Sequence, residues 1–367
     1  MIPFLLIYFT IYGAIHSYFF WKVSAAFPGL GGYRIPLGGF LVWMTLSPLL
    51  VHVLDRRGYV RSASVLGRSA YVWMAVVFWF CVLGLSADAW NLVVGAIAAA
   101  APAASAALVP CQAGLAVIAG IITVASCLGL AQAGNIRLRR FTVEVPHWPA
   151  GTQPITLAQI SDLHLGVHTG GRRLAKAIRL IEQARPDVLV STGDLVDSPL
   201  RNVESLAGLL RSVKPPLGKF AVLGNHEFYC GVPNSLAFLE LGEFRVLRSQ
   251  GVTLAQRLRI VGVDDPAGIH VGQETYTDED AVLPPGRDAL ATVLLKHQPG
   301  VSGASLGRFD LQLSGHTHGG QVFPFHLIIA LIYRFYHGWH ELGEGASLYV
   351  SRGTGTWGPP LTSRTVP

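Results

Sequence analysis

The run Ser314-Gly315-His316-Thr317-His318-Gly319-Gly320 sets two imidazoles two residues apart, between glycines, just after the apolar stretch Phe309 to Leu313. If that stretch is a strand, residues two apart share a side, and both rings reach past its end to the same point. Asp162-Leu163-His164, Gly193-Asp194-Leu195-Val196-Asp197, Gly224-Asn225-His226-Glu227 and His297 also follow short apolar runs. Their donors are carboxylate and amide oxygens and imidazole nitrogens, without a thiolate. Such a set suits catalytic divalent cations better than structural zinc.

Two divalent cations about 3.5–4 Å apart clamp a phosphoryl group and generate hydroxide near neutral pH. One carboxylate has to bridge them, and Asp194 is the best placed, because Gly193 before it allows close backbone approach. Asn225 offers a neutral amide oxygen, which limits the negative charge facing an anionic substrate. Histidines fill the remaining positions, and His226, beside Asn225, can stay unligated and act on the substrate.

The elements that would carry these groups alternate. Ile155 to Ser161 reads as a strand, 171–184 as a helix through Leu174, Ile178 and Ile181, and Asp187 to Thr192 as a second strand. A helix over 201–212 and a strand from Phe220 to Leu223 follow, with later strands expected at 258–263, 292–296, 309–314 and 347–351. Each polar motif sits at a strand's carboxyl end, where open α/β sheets bind ligands. Fewer helices in the second half point to a core of two sheets.

Charged residues are only 14% of the 367, and mean hydropathy is +0.43; soluble chains carry about 25% charged residues. The deficit lies in residues 1–134, where apolar stretches near 2–21, 35–54, 70–86 and 111–134 approach the length of a bilayer span. The third is expected to end near Ser86, because Asp88 and Asn91 interrupt it and an Ala-rich tail follows. No basic residue precedes the first stretch, which argues against a cleaved signal peptide. Arg56, Arg57, Arg61 and Arg68 fill the loop after the second stretch, no Lys or Arg fills the loop after the third, and Arg137, Arg139 and Arg140 follow the fourth. Positive charge stays on the cytoplasmic side, so that loop, the N-terminus and the globular half are expected there, against a contrary signal from Lys22 and Arg34. The net charge of +6 is explained by these clusters and does not argue for nucleic acid. Cys81, Cys111, Cys127 and Cys230 form no CxxC pair, so neither a disulfide framework nor a thiolate metal site is expected.

Asp162-x-His164, Gly193-Asp194-x-x-Asp197, Gly224-Asn225-His226-Glu227, His297 and Gly315-His316-x-His318, in this order, resemble the signature of the calcineurin-like metallophosphoesterases over roughly 153–360. Gly319-Gly320-Gln321 and Ser351-Arg352-Gly353-x-Gly355-x-x-Gly358-Pro359-Pro360 are similar to the bacterial membrane-linked branch. The resemblance implies a four-layer α/β/β/α sandwich over 141–367, preceded by an all-α transmembrane domain of about four helices over 1–140. It implies one metal on Asp162, His164, Asp194 and His318, and another on Asp194, Asn225, His297 and His316. His226 would bind the phosphoryl oxygen or protonate the leaving group, with Asp197 orienting it. The cofactors would be two divalent ions, manganese first, with Fe, Zn, Ni or Co also accepted by such donors. The expected activity is hydrolysis of a phosphoester or pyrophosphate by metal-activated hydroxide, on a bacterial inner membrane facing the cytoplasm. A lipid-linked substrate such as UDP-2,3-diacylglucosamine fits that place. The alternative is a non-catalytic membrane docking module on the same fold. Relatives usually continue past Gly-Pro-Pro into a final strand, whereas this sequence stops at Pro367, so the resemblance leaves the last strand open but not the site. Nothing in the sequence indicates an oligomeric state.

Other residues read more plainly. Arg352 has two readings, a phosphate contact or a structural ion pair. His168 reads as a solvated loop residue, His16 and His52 as packing or interfacial residues, Asp264-Asp265 as a turn, and Cys230 as an inert thiol. The stretch 322–336 is either a buried element or a segment lying in the membrane interface.

Overall fold

The computed structural model describes residues 2–29, 31–166, 169–198, 203–272 and 278–362, so His168 lies outside the described residues. Two compact units result, Met1–Gly134 with Gly358–Pro367, and Asn135–Trp357.

The first unit contains α1 (Ile2–Ala26), α2 (Arg34–Arg56), α3 (Val60–Ala100) and α4 (Cys111–Ala133). Among the described residues, three segments, Gly31–Arg56, Val60–Ala100 and Pro102–Ala133, are long and apolar enough to cross a membrane. Leu92, Val117 and Val124 point outward, which a water-soluble helix bundle would not tolerate in such number. The expected break near Ser86 does not occur, and α3 runs on to Ala100. Its two polar interruptions are satisfied sideways rather than ending the helix. Asp88 accepts hydrogen bonds from Lys22 and Tyr18, and Asn91 exchanges a pair with the Val109 backbone at 3.0 and 2.8 Å. At 41 residues and about 1.5 Å per residue, α3 spans roughly twice the ~30 Å hydrocarbon core, so it must project or tilt. Lys22 lies inside α1 and pairs with Asp88, so one of the two contrary charges, Lys22 but not Arg34, is neutralised. His16 packs: its Nδ1 donates to the Tyr12 carbonyl at 2.7 Å, and its Nε2 accepts from the Trp73 indole at 2.9 Å.

The second unit is built on two sheets. The first holds β1 (Leu157–Ile160), β2 (Val188–Ser191), β3 (Lys219–Ala221) and β4 (Arg245–Val246), all parallel and in that order. Its helices are α5 (Gly171–Ala184), α6 (Val203–Ser212), α7 (Asn225–Cys230) and α8 (Val232–Leu241). The second holds β5 (Gln250–Leu254), β6 (Leu258–Gly262), β7 (Ala291–Leu295), β8 (Leu311–Ser314), β9 (Gly338–Gly343) and β10 (Ala346–Val350). Its order is β5-β6-β7-β8-β10-β9, with β6, β7, β8 and β10 parallel and β5 and β9 antiparallel at the edges.

Strand alternation builds the layers. Val188 and Val190 join Phe220, Ile260, Val293 and Leu313 in a core between the sheets. Leu189 faces the other way, toward Leu174, Ile178, Leu206, Leu210 and Phe238 of the helices. The outer face of the second sheet, Val261 and Leu294, is covered by Leu283 and Phe309 beside the short α10 (Glu279–Val282). The α/β/β/α sandwich is therefore present, with a thin fourth layer. Residues 351–362 form no strand. Within 322–336 lies α11 (Phe325–Ile332), which buries none of its residues, so the buried reading does not hold for this helix, while Val322 before it is buried.

Candidate metal centre

The parallel strands β1, β2, β3, β7 and β8 end on the same side, and each delivers its motif there. Asp162 and His164 follow β1, Asp194 and Asp197 follow β2, and Asn225 and His226 follow β3; His297 follows β7, while His316 and His318 follow β8. Asp162, His164, Asp194, His316 and His318 all have φ between 50 and 71°. For residues other than glycine this left-handed conformation costs about 1 kcal/mol or more each, and hydrogen bonds hold it in place. Asp162 and His164 donate their N–H to the Gly193 and Asp194 carbonyls, both at 3.0 Å, and His316 donates its N–H to Asp162 Oδ1 at 2.8 Å. Gly193, at φ 95°, could not carry a Cβ, which would fall 2.6 Å from the Gly224 nitrogen and 2.7 Å from His297 Nδ1. A Cβ on Gly315 would collide with Ser161 and Asp162.

The donors form two lobes. One is Asp162, His164 and His318; the other is Asp194, His297 and His316, and in each the candidate ligand atoms lie within 4.8 Å of one another. Asp194 also groups with His164 and His226, so its carboxylate stands between the lobes. Asn225 Oδ1 lies 3.1 Å from His297 Nε2 and 2.9 Å from His316 Nδ1.

The lone pairs show that cations fit. His297 is fully buried, and its Nδ1 donates to the Thr192 carbonyl at 2.8 Å. Its Nε2 then faces Asp194 Oδ2 at 3.2 Å and Asn225 Oδ1 at 3.1 Å. A nitrogen lone pair turned on two oxygens requires a proton or a cation between them. His164 Nδ1 faces Asp197 at 3.4 Å, which leaves its Nε2 2.9 Å from His318 Nε2. Partners behind the imidazoles that fix the tautomer are the usual surroundings of metal-ligating histidines.

In the metal-free state protons compensate in part. Burial opposes ionisation of Asp194, but His297, His226 and His164 hold it far below the usual carboxylate range. Burial likewise disfavours charge on His297, yet Asp194 keeps it well above the ordinary imidazole value. Burial and the adjacent His297 push His316 down to about 3, and burial pushes Asp162 up.

His226 stands apart. Burial would lower its pKa, but the Asp197 hydrogen bond and the charges of Asp194 and Asp197 raise it to about 9. Its Nδ1 lies 2.6 Å from Asp197 Oδ1, and its Nε2 is 4.0 Å from Asp194. Exposed Tyr229 and Trp357 flank its ring, at centroid distances of 5.6 and 6.0 Å. Gln321 holds the Trp357 backbone by two hydrogen bonds of 2.9 and 3.0 Å.

Several supporting residues had no assigned role in the sequence. Glu227 is buried and accepts four backbone N–H groups: Asp194 at 2.9 Å, Leu195 at 2.7 Å, Val196 at 3.0 Å and Gly224 at 2.8 Å. An acid beside the motif histidine was the visible signal. Ser161 donates to Asp162. Tyr333 reaches His316 from an apolar stretch that gave no signal. Arg352 lies against His337, 3.3 Å from its Nδ1, and packs over Gly319 beside His318. Asp264 pairs with Arg248 at 2.6 Å, and Asp265 accepts the Ala267 N–H at 2.8 Å at the start of α9 (Ala267–His270), which bears out the turn.

The sequence model described as calcineurin-like phosphoesterase matches residues 155–320. An uncharacterized metallophosphoesterase of Aquifex aeolicus is 43% identical over 62% of this chain and 87% of its own length. One of Campylobacter jejuni is 36% identical, over 60% of this chain and 58% of its own. A transmembrane protein with metallophosphoesterase domain of Bos taurus is 31% identical, over 66% and 58%. The chain belongs to the calcineurin-like phosphoesterase family, which uses divalent metals and points to phosphoester hydrolysis. It spans little more than half of the Campylobacter and Bos relatives.

Proposed function

We propose that the protein is a membrane-anchored phosphoesterase with two divalent metal ions, manganese foremost. The carrying observation is the pair of donor lobes sharing Asp194, with His226 oriented beside them by Asp197. In this reading Asp162, His164, Asp194 and His318 hold one ion, and Asp194, Asn225, His297 and His316 hold the other. When bound, the ions neutralise phosphoryl charge and lower the pKa of water. His226 contacts the phosphoryl oxygen or hands its Nε2 proton to the leaving group, and Asp197 fixes the ring and stabilises its charge. Arg352, near His318, is a candidate second contact for the substrate.

The substrate class we propose is a phosphoester or pyrophosphate carried on a lipid, of the kind represented by UDP-2,3-diacylglucosamine. Three bilayer-length segments support it. So does α11, whose Leu327, Leu331 and Ile332 are exposed close in sequence to the metal loop. The arginines around the α2–α3 turn, Arg56 and Arg57 with Arg61 and Arg68 early in α3, support a cytoplasmic catalytic unit; reporter fusions at Arg61 and Ala104 giving the reverse sidedness would end that orientation. The activity itself is tested with a chromogenic phosphodiester and Mn²⁺. Metal-dependent turnover is expected, and its absence in protein carrying two ions would favour a non-catalytic docking module.

A further inference from the structure

His297 and His164 each have their outer nitrogen tied, to the Thr192 carbonyl and to Asp197. His316 needs an equivalent. Its Nδ1 turns inward, 2.9 Å from Asn225 Oδ1 and 3.3 Å from His297 Nε2. Its Nε2 lies 2.7 Å from the hydroxyl of Tyr333, with the two rings at 71°. A neutral imidazole carries a single N–H. For Nδ1 to offer a lone pair to a cation, the proton must sit on Nε2, and there the phenol oxygen is the acceptor.

We infer that Tyr333 is the positioning residue of His316: its phenol holds the proton on Nε2 and aims Nδ1 at the second metal position. The inference rests on the dinuclear reading above. Outer partners of this kind are typically worth about 10–100-fold in metal affinity.

The backbone makes Tyr333 fit for the task. It directly follows α11 and closes its last turn, donating its N–H to the Ile329 carbonyl at 2.8 Å. The start of α11 is clasped to the same metal loop, because Gly320 lacks a Cβ that would strike His326. Beyond Tyr333 the excursion is fastened again, where the Thr317 hydroxyl donates to the Tyr336 carbonyl at 2.5 Å. The segment 322–336 therefore leaves the metal loop, exposes its apolar helix, and returns a phenol to the ligand two residues before His318. Its placement and that of His316 are linked.

The test uses the full chain in detergent, stripped of metal and titrated with Mn²⁺, comparing wild type with Tyr333→Phe. The readouts are ion stoichiometry, the electron-paramagnetic signal of a coupled manganese pair, and melting of the metal-free protein. Tyr333→Phe is expected to weaken one ion by about 10–100-fold and leave the other near wild type. The pair signal should vanish at manganese levels that fill the wild type and return at about 100-fold more. Melting of the metal-free variant should match wild type. Two ions held with wild-type affinity would overturn the inference. So would equal weakening of both with a lowered melting temperature, which is the signature of packing. Fewer than two ions in the wild type itself would overturn the dinuclear reading, and this inference with it.

Discussion

Glu227 should prove to be the keystone of the loop that carries Asp194. Its carboxylate accepts four N–H groups, three from consecutive residues 194–196 and one from Gly224. Glu227→Gln keeps the volume but turns an amide NH₂ onto N–H donors, so two of the four lose their acceptor. Each buried, unsatisfied N–H costs about 1–3 kcal/mol, or about 2–6 together. Burial and the charge of Asp194 push Glu227 up to about 6, so removing that charge returns part of the loss. The net expectation is about 2–3 kcal/mol. Amide hydrogen exchange reads it directly, because local opening of these four N–H groups sets their rate. With a factor of ten per about 1.4 kcal/mol, exchange across 194–196 should quicken by about 30- to 140-fold in metal-free Glu227→Gln. The Leu206–Leu210 face of α6 should not change. Exchange within about threefold of wild type would refute the reasoning.

His226→Ala should lower turnover by about 10²–10⁴ while both ions stay bound; loss of metal in step with activity would make His226 a ligand. Metal uptake should release protons, because His297 titrates well above the ordinary imidazole value in the metal-free site and must be neutral to ligate. The sign follows: lower pH keeps that proton on, so Mn²⁺ affinity should fall as pH falls, and calorimetry in buffers of different ionisation enthalpy should detect the release. Ile328 and Leu331 are exposed, so Ile328→Glu with Leu331→Glu should shift stability by no more than about 0.5 kcal/mol per site. These changes should spare a small phosphodiester and depress hydrolysis of a lipid-linked one; equal loss on both would end the lipid-access reading.

Strands β2, β3, β6 and β7 and the helices at 171–184 and 203–212 are legible because burial on both strand faces and helical spacing are properties of the local sequence. β4, at Arg245–Val246, and β9, at Gly338–Gly343, are not, since they are edge strands held by their neighbours' hydrogen bonds rather than by an apolar pattern. The continuity of α3 was hidden because Asp88 and Asn91 find partners on α1 and near Val109, distant in sequence. At the site the donors could be read, but their support could not. The left-handed backbone at Asp162 and His316, the four bonds to Glu227 and the phenol behind His316 depend on residues brought together only by folding.

The central claim is that Asp194 joins two metal positions. Metal analysis of purified wild type, Asp162→Asn and Asp194→Asn, each saturated with Mn²⁺ and desalted, tests it most directly. The expected result is two ions per wild-type chain, near one in Asp162→Asn, and fewer in Asp194→Asn, because that change weakens both positions at once. Two ions retained by Asp194→Asn, with wild-type turnover, would contradict it.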